Sequence, residues 1–142
     1  MLKKTITYED YDGNTRTEDF YFNLSKAELI EIEASVPGGV AAKLEKISKD
    51  KNGTEIIKTF KDIILKSYGV KSEDGKRFIK SDEISKAFEE TEAYSELFYE
   101  LAIDADKAAA FINGIMPKKL IDEANNDPEL KAKIEGLKSG ND

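Results

Sequence analysis

The sequence contains no cysteine and no histidine. Without cysteine there is no disulfide and no thiolate zinc site. Without either residue, Ser–His and Cys–His nucleophiles cannot be assembled. Arginine is nearly missing too, with Arg16 and Arg77 the only two. Its planar fork of donors is the usual reader of phosphates and base edges. A chain so short of arginine, with a net charge of −7, is a poor nucleic-acid binder. Long apolar runs are also absent. The longest, "AAAFI" at Ala108–Ile112, falls far below the roughly 20 residues a membrane helix needs. The opening "MLKKTITYED" lacks the apolar stretch of a signal peptide. These absences lead to the expectation of a soluble cytosolic protein that uses no cofactor and no metal.

Charge is abundant. Charged residues make up 36% of the 142 residues and apolar ones 39%, so the core should be thin and exposed helix faces common. Carboxylates cluster in "FEETE" (Glu89, Glu90, Glu92), but beside a polar stripe with nothing to raise a pKa. That cluster reads as a solvated face. "KSEDGKRF" and "SKDKNGTE" lack the ligand count and spacing of a calcium loop. Gly38-Gly39 belongs to no phosphate-binding motif.

The pattern predicts an α+β fold, mainly α. Residues 2–22 read as a β-hairpin: Leu2, Ile6 and Tyr8 share one face at period two, and "YDGNT" supplies the turn. Two strands alone are marginal, so the hairpin should pack on a bundle of five or six short helices. Ser25 and Glu28 form a capping box that starts the first helix, which "VPGG" ends. A second helix is expected from Val40. A third spans 54–68, with Ile57, Phe60, Ile64 and Tyr68 on one stripe. Asp74-Gly75 suits either a small hairpin between "GVK" and "RFIK" or a loop. Ser81 or Asp82 then caps a fourth helix, Glu92–Ile103 makes a fifth, and Asp104 caps a sixth that Pro117 ends. The single globular domain is thus 1–117, with helices over 25–117. Residues 118–142 form a flexible charged tail with a short helix expected at 128–137.

Ile6, Phe20, Phe22, Leu29, Leu44, Phe60, Ile64, Phe88, Leu97, Leu101 and Phe111 are the expected core. The fifth and sixth helices carry wider apolar stripes than so small a core must hide. Exposed apolar surface of this kind marks protein–protein contact. Tyr94, Phe98, Tyr99, Ile112 and Met116 are therefore the candidate partner-binding residues.

The words "FNLSKAEL", "SYG", "DGKRFIKS", "TEAYSELF" and "KAAAFINGIMP", in that order between about residues 5 and 117, resemble the tail assembly chaperones of long-tailed bacteriophages of Gram-positive hosts. The resemblance implies non-catalytic work in the host cytoplasm. Such proteins bind the hydrophobic tape measure protein, keep it soluble, help recruit major tail tube subunits and are absent from the finished virion. It also allows a homo-oligomer, and a longer form extended by frameshifting from about Lys118. The alternative is a small structural protein of the phage tail or connector.

Overall fold

In the computed structural model the described residues are 1–35 and 54–117. The N-terminal hairpin is present. Strands β1 (Leu2–Glu9) and β2 (Thr15–Phe22) pair antiparallel, with Leu2 opposite Phe22 and Glu9 opposite Thr15. The turn is held by Asp10. Its Oδ1 accepts from the N–H of Asp12 and of Asn14, each at 2.9 Å. Gly13 adopts φ +83°, left-handed backbone that other residues rarely take, and its N–H donates to Asp10 O.

Helix α1 (Lys26–Ser35) begins with the expected capping box. Ser25 N–H donates to Glu28 Oε1 at 2.9 Å, and Glu28 N–H donates to Ser25 Oγ at 3.1 Å. Helix α2 (Thr54–Ser67) stops one residue before the predicted stripe does. Tyr68 does not lie on the helix. It opens strand β3 (Tyr68–Lys71) opposite Phe22. Main-chain pairing overrides the helical period there: Asn23 N–H donates to Ser67 O at 2.7 Å, and Gly69 pairs with Tyr21. Strand β4 (Phe78–Ile79) closes a second hairpin around Gly75, so the sequence "GVKSEDGKRFIK" is a hairpin and not a loop. The result is a four-stranded antiparallel sheet in the order β1-β2-β3-β4.

Three short helices follow. Helix α3 (Asp82–Glu89) is capped by Ser81, whose hydroxyl accepts from Ile84 N–H. Helix α4 (Glu92–Ile103) is capped by Thr91, whose Oγ1 accepts from Tyr94 N–H and donates to Phe88 O. One hydroxyl thus ties the end of α3 to the start of α4. Helix α5 (Ala105–Ile115) starts on Asp104, whose Oδ1 accepts from Asp106 and Lys107 N–H.

The contacts divide the chain into two compact units. The first, residues 1–23 and 61–115, holds the sheet and α3–α5. The second includes, among the described residues, 24–35, 54–60 and 116–117. In the first unit, an aromatic cluster joins sheet to helices: Phe22 meets Phe88 at 5.7 Å and Phe111 at 5.3 Å between ring centroids. Ile6, Phe22, Ile64, Phe88, Leu97, Leu101 and Phe111 are buried as the pattern predicts. Phe20, Leu29 and Phe60 are only half-buried. The helix expected from Val40, the core position Leu44 and the tail helix at 128–137 lie outside the described residues.

Candidate interaction surface

Helix α4 carries three of the five expected contact residues, and its turn of 100° per residue sorts them. Ala93, Leu97 and Leu101 face the core and are buried. Tyr94 and Phe98 lie on one flank. Tyr94 meets Phe88 edge-on at 5.8 Å and Phe98 at 5.9 Å, so both rings extend the internal aromatic cluster and are half-buried. Tyr99 stands about 140° from Tyr94 around the helix, and its side chain is 57% exposed. Ile103, one turn further on, is 69% exposed.

The structure therefore separates the candidates. Tyr99 is free at the surface, with Ile103 as its neighbour. Tyr94 and Phe98 form a different flank. Ile112 on α5 is half-buried, and Met116 is buried, 5% exposed. Sequence reasoning missed Ile103, although its spacing of four from Tyr99 places both on one helical stripe.

Helix α4 is rigidly placed beside the sheet. It runs along β1, with Lys4 Nζ 3.2 Å from Glu100 Oε1 and Tyr11 Oη donating to Glu92 Oε1 at 3.0 Å. Its N-terminus is fixed by the Thr91 cap, and Asp104, where it ends, caps α5, so Tyr99 and Ile103 sit on a surface whose backbone is already ordered. Fixed apolar groups lose little entropy on binding, which favours recognition of an apolar partner.

Among the described residues little else offers chemistry. A shallow groove between α2, β4 and α3 is lined by Asp62, Lys66, Lys80, Asp82, Lys86 and Glu89, a mixture of both signs. Lys61 Nζ closes on Glu89 Oε2 at 2.7 Å beside it. Among the described residues no group of three carboxylates could hold a metal ion. Burial pushes the phenol of Tyr94 above its ordinary value, and for Tyr8 the hydrogen bond to Glu18 does the same. A phenol held neutral in this way is no better as a base. Among the described residues no helix is long and apolar enough to cross a membrane.

No curated protein and no solved structure matches the chain. The sequence profile of a family described as phage tail assembly chaperone matches residues 1–139, nearly the whole length. The chain belongs to the phage tail assembly chaperones.

Proposed function

We propose that this chain is a non-catalytic chaperone that binds the tape measure protein, keeps it soluble and helps recruit tail tube subunits. The observation that carries the proposal is the family match over residues 1–139. The exposed Tyr99–Ile103 stripe on a capped helix supports it, because it is a preformed apolar face of the kind a helical client can dock on. The net charge of −7 supports it as well, since charge keeps a complex with an aggregation-prone partner in solution. The chain works in the host cytoplasm and leaves before the virion is complete. Tyr99 and Ile103 are the first contacts to the client, with Tyr94, Phe98 and Ile112 beside them. Met116, being buried, reaches a partner only if its surroundings open.

Co-expression with the tape measure protein of the same phage tests this. The expected result is a soluble, co-purifying complex that Tyr99→Ala with Ile103→Ala weakens. An insoluble tape measure protein with no co-purification contradicts it. So does abundant chain in purified virions, which would mark a structural tail protein.

A further inference from the structure

Strand β1 is an edge strand among the described residues. The turn fixes the direction of its backbone groups. Asp10 N–H donates to Asn14 O, and antiparallel ladders alternate, so even-numbered residues of β1 bond to β2. The N–H and C=O groups of Lys3, Thr5, Thr7 and Glu9 therefore point off the edge. An eight-residue row of this kind is a ready template for another strand.

The side chains of these four residues lie on the solvent face and are exposed. Thr5 donates to Asp19 at 2.6 Å, and Thr7 bonds Thr17 at 2.9 Å. Lys3 and Glu9 make no ion pair among the described residues. A lysine on an edge usually guards against pairing. Here a glutamate at the opposite end of the same strand answers it.

We propose that β1 pairs antiparallel with β1 of a second copy of this chain, with Ile6 on the two-fold axis. In this register Lys3 faces Glu9 of the second copy, and Thr5 faces its Thr7. Both contacts occur twice by symmetry. Odd residues meet odd residues, so the free backbone groups of the two edges bond one another. The faces are preserved, so both helical layers fall on the same side of a continuous sheet. Slipping the register by two residues either way sets Lys3 or Glu9 opposite a threonine and loses the charge match. The pairing rests on the sheet edge alone and does not depend on what binds the Tyr99–Ile103 stripe.

Sedimentation velocity of the full chain over a concentration series tests the pairing. A monomer–dimer equilibrium is expected, weakened by salt. Lys3→Glu or Glu9→Lys turns two attractions into two repulsions and should weaken the dimer about tenfold. The double variant K3E/E9K restores opposite charges and should recover wild-type affinity. Thr5→Pro removes the outward N–H, together with the exposed hydroxyl bond to Asp19, and should leave a monomer with the β1–β2 ladder intact. Since the chain lacks cysteine, the register can also be trapped: mixed T5C and T7C chains should form the mixed disulfide in preference to either homodimer. A wild type that stays monomeric at every soluble concentration overturns the proposal. So does a double variant no better than the singles, or a dimer that T5P leaves unchanged.

Discussion

Tyr68 and Phe88 lie ring over ring, their centroids 4.2 Å apart and their planes within 13°. The contact joins the first residue of β3 to the last turn of α3, and Phe20 and Phe22 border it at 5.3 and 5.7 Å from Phe88. Phe88 is thus the hinge pin between sheet and helices. Phe88→Ala should cost about 3–5 kcal/mol of stability, whereas Tyr68→Phe, which keeps the ring, should cost less than about 1.5 kcal/mol. Denaturant unfolding followed by circular dichroism measures both. Equal losses for the two variants would show that the hydroxyl, not the stack, matters.

Burial raises the phenol pKa of Tyr68 above its ordinary value. The folded chain therefore holds that proton more tightly than the unfolded one. Stability is unaffected below the unfolded value of about 10 and falls as pH rises through the raised one. Tyr68→Phe should flatten the alkaline limb of a stability–pH curve. An unchanged limb would place the titration elsewhere.

At the other end of the scale stands Asp10. The hydrogen bond from Arg16 Nε, at 2.5 Å, holds its carboxyl below the usual range, helped by the N–H groups of Asn14 and Asp12. The turn's contribution is complete above the unfolded value of about 4 and is lost as pH falls through the lowered one. Arg16→Ala should move the Asp10 titration, followed by NMR, upward. No movement would mean that the backbone donors alone set it.

Gly69 is needed for room. A Cβ there would come within 2.7 Å of Phe78 Cε2 and 3.0 Å of Ile79 O. Gly69→Ala should destabilise the sheet by about 1–3 kcal/mol. Gly114→Ala is the control. The nearest atoms its Cβ would meet belong to the side chain of Leu2, 2.9 Å away at the flexible Cδ1 end, and alanine improves the helix by about 1 kcal/mol. Comparable melting losses for the two would contradict this.

The local signals in the sequence were strong where chemistry is local. The Ser25–Glu28 box, the Asp10–Asn14 turn and the Asp104 cap depend on neighbours a few residues away, and each forms as its residues dictate. Tyr68 was misplaced because its partner, Phe22, is distant in sequence, and a period of 3.6 carries no trace of strand pairing. The candidate contact residues divide for a related reason. Composition marks α4 and α5 as rich in aromatic and aliphatic groups, yet only packing decides which flank of α4 turns inward. Tyr94 and Phe98 follow Phe88 into the cluster, and Tyr99 is left outside with Ile103.

Because Tyr99 and Ile103 are exposed, replacing both with alanine should leave the melting temperature nearly unchanged. The decisive experiment pairs that melt with recovery of the co-expressed tape measure protein in the soluble fraction. The expected outcome is a soluble complex with the wild type and a clear loss with the folded double variant. A tape measure protein equally insoluble with and without this chain would contradict the chaperone role, and full rescue by the double variant would move the client site away from α4.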